Sequence, residues 1–326
     1  MSDGAAAELP TVVRAVFFGS GSFAVPILDA LVALPGVRVE AVVSAPDRPA
    51  GRKAILTPTP VTARARELGL ALMQPLRVRK PEAVEALVAA APALAVLADY
   101  GQHIPRVLLD LPPRGFLNFH PSALPRHRGA APIPATILAG DGASAVTLIV
   151  LTEEMDAGPI VAVEPLEVRP DDTAVTLEVR AAEAAARLLR RALPEWLAGR
   201  LEMRPQPSEG VTVTRPLRRE DGLLDPERRS AAELERQVRA YQPWPGSFIE
   251  TPAGRLIVWR AHAAAGPPGD RPAQLIGDGG AGLALTTSDG RLELEEVQLA
   301  GGHRMSAAQL LRGHPGVLAR SRAEQL

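Results

Sequence analysis

The first half of the chain alternates strand-like runs with helix-like stretches, and this alternation restricts the possible folds more than any other feature. Strand-like runs are rich in β-branched residues, and the stretches between them carry apolar residues at helical spacing. Strands are predicted at Val12–Phe18, Val37–Ser44, Ala93–Ala98, Phe116–Phe119 and Ala145–Leu151, and helices at Val25–Leu34, Val61–Leu68, Pro81–Ala90 and Thr176–Arg191. This order predicts βαβ units and a doubly wound, mostly parallel, Rossmann-like α/β sheet.

The second half of the chain has a different composition and a different pattern of apolar residues. Residues 200–214 mix Pro and Gly with polar residues and show no period, which is typical of a linker. Short strand-like runs follow, separated by glycines and by Asp289-Gly290, which suits a tight hairpin, and Ser306 can cap a short helix that ends before Gly313. A chain of 326 residues suits two domains. We therefore predict a first domain over 1–199, a linker over 200–214 and a small β-barrel or sandwich over 215–326.

A glycine-rich turn follows the first predicted strand. The sequence GSGSFA, residues 19–24, fits the dinucleotide-binding pattern G-x-G-x-x-G/A. A nicotinamide enzyme would also need an acidic residue at the end of the second strand to bind ribose. Glu40 lies within that strand and Asp47 lies beyond it, so neither is well placed. We interpret the glycines as a compact strand-to-helix turn, and no nicotinamide cofactor is expected.

Composition excludes several classes of site. The chain has no Cys, which excludes disulfides, thiolate metal sites and cysteine nucleophiles. Its six His residues form no H-x-x-x-H pair, so no metal is expected. A net charge of −1 is not that of a globally basic nucleic-acid binder. No run approaches the roughly 20 apolar residues of a membrane span, and the acidic N-terminal stretch differs from a signal peptide, so a cytoplasmic protein is expected.

Candidate catalytic residues follow a late strand. Asn118 and His120 are two residues apart and therefore point to one face, at the strand end where ligands of open α/β sheets bind. Asp156 lies in a loop that ends in Gly-Pro and can approach the same place. These three groups suit attack of an amine on a carbonyl or formyl carbon: the amide can hold the oxyanion, the imidazole can move protons, and the carboxylate can orient the imidazole and raise its pKa. The alternative is that all three satisfy turns and caps.

Several segments resemble the folate-dependent formyltransferases. They are LADYGQHIP (97–105), FLNFHPSALPRHRGAAPI (116–133) and MDAGPI (155–160), with the second-domain segments REDGLLD (219–225), RAYQPWPGSFIET (239–251) and RMSAAQLLRG (304–313). The resemblance extends from about residue 12 to about residue 313. It implies that Asn118, His120 and Asp156 carry catalysis. Asn118 and protonated His120 would stabilise the oxyanion of the tetrahedral intermediate, and Asp156 would keep His120 oriented and charged. It also implies a C-terminal domain with an oligonucleotide-binding (OB-like) barrel.

The same resemblance implies the substrates. The formyl donor would be 10-formyltetrahydrofolate, contacted by Ser122, Ala123, Leu124 and Pro125. The loop PDRPAGRK, residues 46–53, is similar to the loop with which the tRNA-specific members engage an acceptor stem, and its charges are Arg48, Arg52 and Lys53. The implied reaction is formyl transfer to the α-amino group of methionyl initiator tRNA, by a monomer. A non-catalytic RNA-binding module is the alternative, but it leaves the Asn-His-Asp trio unexplained.

Two positions depart from the family pattern. Ala123 replaces a larger aliphatic residue, which should loosen one wall of the folate site. Asp99 stands where a small residue is more common before Tyr-Gly, and the sequence offers no physical reason for it.

Overall fold

A computed structural model describes residues 12–50, 54–265, 273–277 and 282–318. Arg52 and Lys53 therefore lie outside the described residues. The chain forms two compact units. The first comprises Met1–Gly129, Ala143–Glu167 and Glu178–Val213, and the second Ala130–Gly142, Val168–Leu177 and Thr214–Leu326, as far as these ranges are described. No helix among the described residues is long and apolar enough to cross a membrane.

The first unit is built on a mixed β-sheet. Its strands, in chain order, are β1 (Val13–Gly19), β2 (Val37–Val43), β3 (Arg48–Ala50), β4 (Ile55–Thr57), β5 (Leu72–Met73), β6 (Leu94–Ala98), β7 (Phe116–His120), β8 (Arg128–Gly129), β9 (Ala143–Val150) and β10 (Ile160–Glu167). Seven of them form one sheet in the order β10-β9-β7-β6-β1-β2-β5. The pairs from β7 to β5 are parallel, whereas β9 and β10 are antiparallel. The predicted doubly wound, mostly parallel sheet is confirmed.

Helices connect the parallel strands. They are α1 (Val25–Val32), α2 (Pro60–Glu67), α3 (Pro81–Ala89) and α4 (Arg106–Leu109). Two later helices do not join parallel strands: α5 (Pro132–Ala139), which belongs to the second unit, and α6 (Ala174–Leu197). Prolines open several of them, because the first turn of a helix needs no N–H from that residue. Thr59 caps α2 by accepting a hydrogen bond from the Thr62 N–H at 3.0 Å. A local signal thus marks the start of α1, α2, α3 and α5, each of which has a proline in its first turn.

The core of the first unit surrounds the two central strands β6 and β7, in which every residue is buried. Phe18 of β1 contacts the ring of Phe116 of β7 at 5.0 Å between centroids. The strand order reverses between β1 and β6, since β2 and β5 lie on one side and β7 on the other. Crevices of open α/β sheets form at the carboxyl ends beside such a reversal. Gly19, Ala98 and His120 are the last residues of β1, β6 and β7 at this edge.

The second unit is built mainly on an antiparallel sheet. Its strands are β12 (Ser247–Thr251), β13 (Gly254–Ala265), β14 (Leu275–Gly277), β15 (Leu283–Thr286), β16 (Gly290–Leu299) and β17 (Met305–Ser306), which follow β11 (Val213–Thr214) in the chain. The order is β12-β13-β16-β15-β14, with β17 on β16, and breaks in the β13–β16 register curl the sheet. This half-barrel confirms the predicted barrel-type fold of the second half.

Two helices cover the apolar face of that sheet. They are α7 (Ala231–Ala240) and α8 (Ala307–Gly313). Leu234 and Val238 of α7 pack with Leu256 and Leu292 of the sheet, all fully or almost fully buried. Ser306 caps α8 as predicted, by accepting from the Gln309 N–H at 3.3 Å.

Candidate active site

Three polar side chains meet at the carboxyl end of β7. Asn118 and His120 belong to β7 and are only 4% and 5% exposed. Asp156 lies in the loop between the antiparallel strands β9 and β10, which returns the chain to this edge because β9 pairs with β7. The structure therefore brings together all three residues that the sequence nominated as catalytic.

The Asp156 carboxylate is the centre of this cluster. Its Oδ1 accepts from Asn118 Nδ2 at 3.1 Å, and its Oδ2 accepts from the Gly129 N–H at 2.8 Å. Its Oδ2 also lies 3.6 Å from Nδ1 of His120. An amide nitrogen carries two N–H bonds, so Asn118 keeps a second donor beyond the one that it gives to Asp156.

The loop that carries Asp156 has a special backbone. Asp156 adopts a left-handed conformation with φ 51°, which Asp tolerates better than most residues. Two residues later the loop approaches β9 so closely that a Cβ at Gly158 would lie 1.7 Å from the Val150 carbonyl oxygen. Only glycine fits there, so Gly158 helps to fix where Asp156 stands.

His120 has a defined tautomer. Its Nε2 lies 2.9 Å from the His127 carbonyl oxygen, and because a carbonyl only accepts, Nε2 carries the proton. Burial lowers the pKa of His120, and this outweighs the nearby Asp156 carboxylate, which raises it. Burial thus works against the expectation that Asp156 holds His120 charged. A neutral imidazole with its proton on Nε2 would present the Nδ1 lone pair toward Asp156.

The turn after β7 contains the predicted folate contacts. Ser122, Leu124 and Pro125 are buried, and Ala123 is half-buried. The Ser122 hydroxyl donates to the Arg126 carbonyl at 2.6 Å, and the Ser122 carbonyl accepts from the Thr147 hydroxyl at 2.7 Å. The Leu124–Pro125 peptide is cis. These bonds hold the turn in one shape next to His120.

The predicted tRNA loop forms a hairpin where it is described. Arg48 of β3 pairs with Thr57 of β4 and is exposed. Ile55 and Leu56 on β4 are 63% and 64% exposed, which is unusual for large apolar side chains. The hairpin thus presents a cation and two apolar side chains on its surface.

The glycine-rich turn after β1 faces a carboxylate. Asp99 follows β6 and accepts a hydrogen bond from the Gly21 N–H. A Cβ at Gly21 would lie 1.7 Å from Asp99 Oδ2, so glycine at 21 makes room for the acid at 99. Desolvation, and then the nearby Glu178 carboxylate, raise the pKa of Asp99. An acid in this position opposes a pyrophosphate, which a nicotinamide cofactor would bring here.

Sequence reasoning missed residues beyond position 200. Gln206 and Thr212, within the segment predicted as a linker, hydrogen-bond to the Asp156 loop and to His127. Nothing local in the sequence indicates this, because their partners lie about 50 and 85 residues away. Among the described residues, no cluster of His, Asp and Glu is arranged to hold a metal ion.

Two family models match the chain. Residues 13–193 match the model described as Formyl transferase, and residues 216–315 match the model of the formyl transferase C-terminal domain. Similar curated proteins include the methionyl-tRNA formyltransferase of Halorhodospira halophila, which is 44% identical over 92% of this chain and 96% of its own length. The methionyl-tRNA formyltransferase of Thermus thermophilus is 42% identical over 93% of this chain and 96% of its own length.

Solved structures share the fold at lower identity. WlaRD, a sugar 3N-formyl transferase solved in the presence of dTDP and 5-N-formyl-THF, matches 87% of this chain and 98% of its own with a TM-score of 0.64 and 15% identity. HypX from Aquifex aeolicus, in complex with tetrahydrofolic acid, matches 92% of this chain with a TM-score of 0.57 and 18% identity. The chain spans about half the length of HypX, namely 47%.

Fold, site and sequence similarity agree across both halves of the chain. The trio at the end of β7 lies within the first matched region, and the curled antiparallel sheet lies within the second. The relatives match over nearly their full length at well above 30% identity. The chain belongs to the formyl transferase family, in its methionyl-tRNA formyltransferase branch.

Proposed function

We propose that this protein transfers the formyl group of 10-formyltetrahydrofolate to the α-amino group of methionyl initiator tRNA. The observation that carries this proposal is the buried Asn118–His120–Asp156 cluster at the carboxyl end of β7. The named activity of relatives at 44% and 42% identity supports the choice of tRNA as acceptor. The product is formylmethionyl-tRNA for translation initiation.

In the proposed mechanism, the amine nitrogen attacks the formyl carbon, and the electrons of the C=O bond move to the oxygen. The second N–H of Asn118 donates to this oxyanion. The proton lost by the amine passes to Nδ1 of the neutral His120, and the imidazolium that forms is stabilised by Asp156 at 3.6 Å. The intermediate then collapses, the bond from the formyl carbon to N10 of the folate breaks, and the imidazolium returns its proton to N10. Asn118, His120 and Asp156 are thus the proposed catalytic residues.

The folate-derived donor is proposed to bind along the turn Ser122–Pro125. The folate ligands of WlaRD and HypX support a folate in this family. Because the Ser122 hydroxyl is already bonded to the Arg126 carbonyl, we assign Ser122 a role in shaping the turn, with its backbone available to the donor. The half-buried Ala123 is the side chain best able to touch it.

Acceptor binding is proposed to involve both halves of the chain. Arg48, Arg52 and Lys53 would contact phosphates of the acceptor stem, and residues 215–326 would supply an OB-like tRNA-binding domain after the linker 200–214. Residues 1–199 would form the catalytic domain. Because most affinity for nucleic acid comes from phosphate contacts, the salt dependence of binding reports how many such cations take part. We propose that the protein acts as a cytoplasmic monomer without metal or nicotinamide.

A substrate comparison tests the proposal. The purified protein is incubated with 10-formyltetrahydrofolate and either methionyl initiator tRNA, glycinamide ribonucleotide or an amino-sugar nucleotide. Formylated product with the tRNA alone is the expected result. Product with the sugar nucleotide and none with tRNA would contradict it, as would clean stoichiometric binding of NADH measured by fluorescence.

A further inference from the structure

Residues 204–212, here called the strap, run alongside the active-site loops of the first unit. Arg204 pairs with Ile160 at the start of β10 through two backbone hydrogen bonds of 2.7 and 2.8 Å. Farther along, the Thr212 carbonyl accepts from the Arg128 N–H at 2.9 Å. The strap is therefore bonded at one end to the strand after the Asp156 loop, and at the other end to the turn after β7.

Gln206 joins these two loops with one side chain. Its Nε2 donates to the carbonyls of Asp156 at 2.7 Å and Gly158 at 2.8 Å. Its Oε1 accepts from Nε and Nη2 of Arg128 at 3.0 and 2.8 Å. Carbonyls only accept and a guanidinium only donates, so the orientation of this amide is unambiguous.

The two carbonyls bonded by Gln206 belong to the part of the Asp156 loop that has an unusual backbone geometry. Asp156 is left-handed, and Gly158 lies against the Val150 carbonyl. In this conformation the carbonyls of Asp156 and Gly158 converge on a single donor group, the Gln206 amide. Without that donor, the carbonyls of the half-buried Asp156 and the buried Gly158 would lose this partner, which favours relaxation of the loop toward another conformation. Gln206 is thus bonded to the backbone of the loop that carries the Asp156 carboxylate.

Thr212 contacts His127, the residue whose carbonyl is bonded to His120. Its Oγ1 accepts from the His127 N–H at 2.7 Å and lies 3.3 Å from His127 Nδ1. His127 is left-handed with φ 57°, and its carbonyl is the one that fixes the proton of His120 on Nε2. The Thr212 side chain thus holds the residue whose carbonyl accepts the Nε2 proton of His120.

We propose that Gln206 and Thr212 are positioning residues for formyl transfer, which set the Asp156 loop and the His120 tautomer respectively. This inference rests on the proposed function for its kinetic test. Neither side chain needs to touch a substrate, so their loss should lower kcat and leave the KM values for folate and tRNA nearly unchanged.

The first test is Gln206→Glu, which keeps the shape but replaces the donor with an acceptor. We expect kcat to fall on the order of 10–100-fold, the size of effect that a small misplacement of reacting groups produces, with each KM within about threefold of wild type. Gln102→Glu is the matched control, because Gln102 of the first unit also donates to a backbone carbonyl, that of Pro75 at 3.1 Å, and accepts from a donor, the Val78 N–H at 2.8 Å. A kcat near that of wild type, a loss carried by KM, or an equal loss in the control would overturn the proposal.

The second test uses Thr212 and needs no turnover. Thr212→Val removes the hydroxyl at constant shape, and Thr212→Ser restores it. Nitrogen chemical shifts of the His120 ring should report the Nε2–H tautomer in wild type and Thr212→Ser, and a mixture in Thr212→Val. If Val and Ser give the same ring shifts, Thr212 has no positioning role. A wild-type protein that shows these shifts but does not formylate tRNA would contradict the proposed function and leave the positioning role standing.

Discussion

The end of β7 and the β3–β4 hairpin belong to the same unit, but the side chains proposed to be functional are buried at the first and exposed on the second. Asn118 and His120 are about 95% buried and bonded to their neighbours, whereas Ile55 and Leu56 are more than 60% exposed. Folding has already desolvated and oriented the first group, so it is ready for chemistry. The hairpin is desolvated only when a partner covers it. Substitutions in the buried cluster should therefore change kcat, and substitutions on the hairpin should change KM for tRNA.

The largest effect is expected for His120→Ala. The variant has no group to take the amine proton or to return it to the folate, so kcat should fall on the order of 10³–10⁴-fold, the upper range for a general acid–base. The KM for folate should change little. Initial rates of formylation measure both, and the exposed His103→Ala of the first unit is the control. Near-normal turnover by His120→Ala would remove the proposed catalytic role.

The second-largest loss of kcat is expected for Asp156→Asn. Asn also tolerates a left-handed backbone, but its amide oxygen can replace only one of the two acceptor oxygens of Asp156, so the negative charge beside His120 and one hydrogen bond are lost. The imidazolium formed during the reaction then has no counter-charge, and kcat should fall on the order of 10²-fold. Thermal unfolding of the variant checks that the loop is intact. A kcat equal to that of wild type would show that the charge of Asp156 is not needed.

The pH dependence of kcat distinguishes a neutral from a charged resting His120. Since burial lowers its pKa below the ordinary value of 6.5, activity should be constant near neutral pH and fall about tenfold per unit only on the acid side, below pH 6.5. Stability should also decrease on the acid side. The unfolded chain binds more protons than the folded chain in this range, so the free energy of unfolding decreases as pH falls below 6.5. An acid limb centred above pH 6.5 would mean that Asp156 outweighs burial. Rate profiles and thermal unfolding from pH 5 to 8 test both statements.

The regular elements, and the shared face of Asn118 and His120 in the proposed catalytic trio, were predictable because their signals are local. The strand predicted at Val37–Ser44 is observed at Val37–Val43, and the two-residue spacing of Asn118 and His120 correctly put them on one face. Helix α7 was missed although Ser230 and Glu233 form a capping box that the sequence displays. The Ser230–Glu233 spacing is therefore a local signal that indicates the start of this helix.

Other features depend on contacts that no local pattern contains. The pKa of His120 depends on how deeply β7 is buried between β6 and β9, which sequence spacing does not report. Asp99 had no explanation until its carboxylate was found against Gly21, 78 positions earlier in the chain. Gln206 looked like part of a linker because Pro and Gly surround it. In each case the partner is distant in sequence, so only the folded chain reveals the role.

The smallest effect is expected on the hairpin, for Arg48→Ala. Arg48 is exposed on β3, so its removal should leave stability within about 0.5 kcal/mol. Loss of one phosphate contact should raise KM for tRNA several-fold and reduce the slope of log affinity against log salt concentration by about one, while kcat and the KM for folate stay unchanged. Arg106→Ala is the control, because that exposed arginine pairs with Asp110 at 2.6 Å outside the hairpin. Equal changes in the KM for tRNA and for folate would show that Arg48 does not act specifically in tRNA binding. The proposed division between a buried catalytic cluster and an exposed binding hairpin would then be wrong.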